Sequence, residues 1–167
     1  MEEIINKVAQ SGIITINLEE LYPDGERIAF DIAPHLVEGL MLREKDFREF
    51  VKTHDWSTYS GKYVALFCST DAVVPQWAWM ILSTALAPYA KQIVFGSLEA
   101  LESELFTLMI DKMDITPFTD QRIVIKGCAD KPVPVNAYVR LTARLTPIVK
   151  SLMYGEPCST VPVYKKK

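Results

Sequence analysis

Short, mainly apolar runs rich in β-branched and aromatic residues alternate along this chain with longer stretches whose apolar positions recur every three or four residues. Ile13–Ile16, Ile28–Ile32, Lys62–Phe67, Gln92–Phe95 and Arg122–Lys126 have the length and composition of strands. Helical spacing predicts Asp46–Thr53, with Phe47, Phe50 and Val51 on one stripe, and Ser97–Lys112, with Leu98, Leu101, Leu105, Leu108 and Met109 facing inward. Two further helices are expected, Pro75–Ala87 and one running from Pro134 into the 150s, each opened by a proline as its first residue. At the start, Glu2–Gln10 suits a short helix stopped at Ser11-Gly12, and Asn17 suits the cap of a single turn over Leu18–Leu21. Strands separated by helices of a dozen residues indicate parallel strands with helical crossovers. The expected fold is therefore α/β: one domain over 1–167, holding a mixed, largely parallel sheet with helices on both faces. The two N-terminal strands extend the sheet, and the tail Thr160–Tyr164 adds an edge.

One part of the pattern occurs twice. Tyr63–Pro75, YVALFCSTDAVVP, and Arg122–Pro134, RIVIKGCADKPVP, each carry a strand into Cys, then Asp, then Pro, the second with one loop residue fewer between them. From Val74 to Lys91 against Val133 to Lys150, seven of eighteen positions are identical. Shared packing accounts for matching leucines better than it accounts for matching Cys, Asp and Pro.

A parallel sheet places Cys68 and Cys128 at the carboxyl ends of their strands, the edge where open α/β sheets bind ligands. Capping does not simply explain Asp71 and Asp130, because each lies three residues before the expected N-cap; an Asx-turn is the structural alternative. Two thiols and two carboxylates are ligands for Zn²⁺ or iron. Cys158, in Gly155-Glu156-Pro157-Cys158, offers a third sulfur and His54 a further ligand, although no C-x-x-C spacing supports zinc directly. A helix continuing past Pro147 sends Cys158 to the opposite end of the fold. Either Pro147 ends that helix early, or Cys158 serves a second copy in a homodimer, or it is not a ligand. His54 has a plain alternative as a residue meeting the last carbonyls of a helix or water, and each cysteine has one as a small buried apolar side chain.

Composition narrows the classes. A formal charge of -3 leaves no basic surplus for a phosphate backbone, so nucleic acid is not an expected partner. Ala72–Ala90 carries no charge over nineteen residues, but Pro75 and Pro88 confine its helix to a length short of a bilayer, so no membrane span is expected. An acidic start without an apolar core, together with an odd count of three cysteines, points to a cytoplasmic protein with reduced thiols. No GxGxxG, Walker or GxSxG motif occurs.

MLREKDFREFVKTHDW, CSTDAVVPQWAW, IVIKGCADKPVP and MYGEPCSTVPVYKK together resemble a bacterial family known only as domain of unknown function twenty-four eighty, over nearly the whole length. The family has no established activity. The resemblance implies, through an association with sulfur-mobilisation genes, a role near iron–sulfur cluster assembly and its proteins. The combined expectation is a metal- or cluster-binding accessory protein using Cys68, Cys128, Cys158, Asp71, Asp130 and His54. The alternatives are a non-catalytic scaffold with packed cysteines and a thiol-dependent enzyme.

Overall fold

The computed structural model describes residues 5–8, 12–127, 129–156 and 158–167. In chain order they form β1 (Ile5–Val8), β2 (Ile13–Asn17), β3 (Arg27–Asp31), α1 (Glu44–Thr53), β4 (Tyr63–Phe67), α2 (Gln76–Leu86), β5 (Gln92–Phe95), α3 (Leu98–Lys112), β6 (Arg122–Lys126), α4 (Val135–Leu145), β7 (Ser151–Glu156) and β8 (Ser159–Lys165). The fold is α/β with largely parallel strands, as the alternation predicts. The strands form two sheets rather than the expected one, because β2 pairs with β6 and not with β3. Patterning marks where strands lie; it does not choose their partners.

The chain divides into two compact units, an inserted unit, Asp24–Leu101, and a flanking unit, Met1–Pro23 with Glu102–Lys167. The inserted unit holds a parallel sheet in the order β3-β4-β5, over a core that includes Phe30, Phe47, Trp56, Leu66 and Leu82. The flanking unit holds the order β1-β2-β6-β7-β8, with β2, β6 and β7 parallel and β1 and β8 added antiparallel at the edges. Its core includes Ile16, Phe106, Phe118, Ile125 and Leu141.

The units repeat one another more fully than the sequence identities indicate. Tyr63–Phe67 and Gln76–Leu86 match Arg122–Lys126 and Val135–Leu145 at a constant offset of 59 residues. The offset carries through the buried pairs Phe47 and Phe106, Tyr59 and Phe118, Leu82 and Leu141, and Leu86 and Leu145. It also carries through local chemistry. Asp55 accepts from the Ser57 N–H and Asp114 from the Thr116 N–H, so both turns into the middle strand start on the same Asx bond. Gly61 and Asp120 both take positive φ, at 72° and 56°, a conformation that Gly and Asp tolerate better than most residues. In each unit the first strand meets the middle strand in the same register, Arg27 opposite Tyr63 and Ile13 opposite Arg122.

Both crossover helices start and stop alike. Pro75 and Pro134 are the N-caps, so each helix starts one position later than expected, and Pro88 and Pro147 follow the C-caps Ala87 and Thr146. Pro147 therefore ends α4 at Leu145, and residues placed in a helix by the sequence reading form β7 instead. At the other terminus, the helix expected over Glu2–Gln10 is replaced within Ile5–Val8 by a strand, paired antiparallel with β2 from Ile5 opposite Ile16. An adjacent strand edge supplies backbone partners that decide so short a segment against its local preference. Among the described residues no helix is long and apolar enough to cross a membrane.

Candidate functional site

In the inserted unit Cys68 is the first residue after β4, where the parallel strands end. Its half-buried thiol lies 3.4 Å from both the Thr70 carbonyl and the Thr70 hydroxyl. It opens into a cleft of about 680 Å³ lined among others by Thr70, Gln76, Trp79, Phe95 and Ser97. Trp79 and Phe95 meet edge to face at 5.0 Å on its apolar side. Asp31, at the end of β3, fixes the loop from the neighbouring strand: it accepts from the Ser69 N–H at 3.0 Å and the Ser69 hydroxyl at 2.5 Å, and from the Ala33 N–H at 2.9 Å. Burial pushes the Asp31 pKa up, but the Ser69 hydroxyl and the two N–H bonds outweigh it and hold the carboxyl below its ordinary range.

The other candidates of this unit stand apart from that cleft. Asp71 is exposed and does not line it. His54 packs among Phe50, Trp56 and Tyr59, with ring centroids 5.1, 4.6 and 6.0 Å away, and its buried Nε2 has no hydrogen-bond partner among the described residues.

In the flanking unit the corresponding loop leaves β6 after Lys126. Both strand-to-helix loops have the same length, 68–75 and 127–134, so Cys68 corresponds to Gly127, and Ser69 corresponds to position 128. The two Cys-Asp-Pro loops therefore do not match cysteine for cysteine, because the second carries a glycine between strand and thiol. Cys128 itself lies outside the described residues. At Gly127 an added Cβ would stand 2.7 Å from the Tyr138 hydroxyl, so the space a side chain takes in the other loop is filled here from α4. Glu19 secures this loop, its Oε1 accepting from three successive N–H groups, Ala129, Asp130 and Lys131, at 2.5, 2.7 and 3.1 Å. The Lys131 and Asp130 N–H bonds lead the forces that lower the Glu19 pKa. Asp130 is exposed.

Cys158 occupies the turn between β7 and β8 and is exposed. Because β7 runs parallel to β6, with Ile125 opposite Tyr154, that turn leaves the same edge of the sheet as the loop containing Cys128. Lys126 Nζ and Glu156 Oε1, 3.2 Å apart, tie the two strand ends together. The expectation that Cys158 emerges at the opposite end is thus corrected, for the reason that Pro147 supplied. Among the described residues no three His, Cys, Asp or Glu side chains converge in a metal-binding group.

A family model, Protein of unknown function (DUF2480), matches residues 2–166. The chain belongs to this family. No curated protein and no solved structure matches it. For this member of DUF2480, sequence reasoning overlooked the two carboxylates that hold the thiol loops, Asp31 and Glu19. A signal was available: each lies at or just after the end of the first parallel strand of its unit, beside the loop that follows the middle strand.

Proposed function

We propose that the chain binds a zinc ion, an iron ion or an iron–sulfur cluster at the carboxyl edge of the five-stranded sheet, through Cys128 and Cys158, and serves as an accessory or carrier in metal or cluster handling. The observation that carries this reading is the parallel pairing of β6 with β7, which brings the Cys128 loop and the Cys158 turn out at adjacent strand ends. Thiolates suit all three cargoes, and the exposed Asp130 offers an oxygen ligand beside them. Cys68 is the remaining cysteine of the chain, with Asp71 three residues on. Iron–sulfur assembly proteins in the cytoplasm are the partners this reading implies, and a homodimer would bring further ligands.

Elemental analysis of protein purified without oxygen tests it. The expected result is a metal content near one per chain or per pair of chains, lost in Cys128→Ser and in Cys158→Ser. Less than about a tenth of a metal per chain in the unsubstituted protein contradicts it.

One observation favours a second reading, a thiol-dependent activity at Cys68. That thiol faces a cleft of ligand size and lies 3.4 Å from the Thr70 carbonyl and hydroxyl. In that case Cys68 is labelled by a small alkylating reagent faster than Cys158 although it is the less exposed, and Cys68→Ser leaves metal content unchanged.

A further inference from the structure

The two units treat the edges of their sheets differently. In the flanking unit both outer parallel strands are covered, β2 by β1 and β7 by β8. In the inserted unit β5, the counterpart of β7, is the last strand of its sheet and has no strand on its outer side among the described residues. Side chains follow the same division: Leu152 of β7 is buried, whereas Ile93, its counterpart on β5, is only partly so.

The outer edge of the flanking sheet carries features that discourage pairing. Pro162 interrupts the donors of β8, a register shift falls between Leu152 and Met153 opposite it, and Lys165–Lys167 follow. β5 has none of these. Its sequence, Gln92-Ile93-Val94-Phe95, is uncharged and free of proline; Phe95 is 67% exposed and Leu98, which follows shortly after, 45%. The Gly96 N–H goes to the Leu66 carbonyl of β4, and the Lys91 N–H to the Lys62 carbonyl just before that strand. By the alternation of a parallel ladder the Val94 N–H then also faces β4, and Ile93 and Phe95 turn their N–H groups outward.

We infer that β5 is the pairing edge for a second copy of this chain, joined antiparallel about a twofold axis so that two three-stranded sheets become one. The flanking unit supplies the precedent, since its equivalent strand is covered by an antiparallel partner. The sequence supplies the self-complementarity: with Val94 opposite Val94 of the second copy, the outward-facing Ile93 and Phe95 oppose each other, Gln92 faces Gly96, and no charge opposes a like charge. A twofold axis normal to the sheet keeps both α2 helices on one face, which places the exposed Phe95 of each copy beside the joint. Phe95 also lines the Cys68 cleft, so the second copy borders that cleft. The inference stands whether or not any cysteine holds a metal.

Sedimentation of the full chain over a range of concentrations reads the mass directly. The expected mass is twice the 18.9 kDa of one chain, falling to a single chain in Phe95→Pro, which removes an outward N–H and leaves the bonds to β4 in place. Should Phe95→Pro fail to fold, hydrogen exchange on the unsubstituted protein decides: the Ile93 and Phe95 amides slow by about tenfold or more as concentration carries the protein into the dimer. A chain that stays single at every concentration overturns the inference. So does a dimer in which those two amides stay unprotected, or one that Phe95→Pro leaves intact, or a different protein found paired on β5.

Discussion

The inserted and flanking units share a frame and differ in what is attached to its carboxyl edge. Their middle strands, crossover helices and turn residues correspond at one offset, and the same large side chains fill the same positions. The loops depart from that agreement. One unit carries Cys68 beside an open cleft, held by Asp31 through Ser69; the other carries Gly127 under the Tyr138 hydroxyl, held by Glu19 through three N–H groups. Conserving a frame while altering one edge separates the residues that stabilise from those that do chemistry, and both proposed thiol sites lie on the altered side.

If the frame is shared, its largest test falls in the two cores. Phe47→Ala and Phe106→Ala should each cost about 3–5 kcal/mol in urea unfolding, since each removes a fully buried ring from an equivalent site. Losses that differ by several kcal/mol would show that the units are alike in outline and unlike in packing.

A smaller effect belongs to one unit alone. His35 stacks on Phe50 at 3.7 Å; burial lowers its pKa below the ordinary 6.5, nearby His54 lowers it further, and Asp31 opposes them. Between the lowered folded value and 6.5 the unfolded chain binds more protons, so stability contributed by neutral His35 falls as the pH drops below 6.5. The corresponding residue of the flanking unit is Leu21, which is buried and cannot titrate. His35→Leu should therefore flatten the decline in melting temperature between neutral pH and pH 5, and an unchanged decline would assign it elsewhere.

The smallest effect is local. Glu19→Gln should speed exchange of the Ala129, Asp130 and Lys131 amides by about tenfold while leaving the loop after β4 untouched. With a lowered folded pKa, the Glu19 contribution is full above 4.5 and is lost as the pH falls through the lowered value, so the same amides should lose protection only in acid. Equal loosening of both loops would contradict separate clamps.

Much of this frame was legible in the residues. Gln92–Phe95 and Arg122–Lys126 form strands with the expected bounds, Asn17 caps its turn by accepting from Glu19 N–H, and Ser97 accepts from Ala100 N–H at the start of α3. Those features are set by neighbours in sequence. What escaped is set by contacts distant in sequence: the division into two sheets, the strand at Ile5–Val8, and the clamps of Asp31 on Ser69 and Glu19 on Ala129. The proline rule in the sequence reading contained the end of α4, but the strand beyond it becomes visible only beside its partner β6. Of the candidate ligands, sequence spacing suggested pairing Cys68 with Cys128, whereas strand order puts the Cys158 turn and the Cys128 loop at one edge.

The proposed site requires the Cys128 and Cys158 thiols to meet, and mild oxidation of dilute, metal-free protein followed by peptide mapping tests that directly. A disulfide forms only when two Cα atoms come within about 7 Å, so the expected product is a Cys128–Cys158 link within one chain. Full oxidation in which Cys128 and Cys158 never appear in one linked peptide would contradict the proposed site.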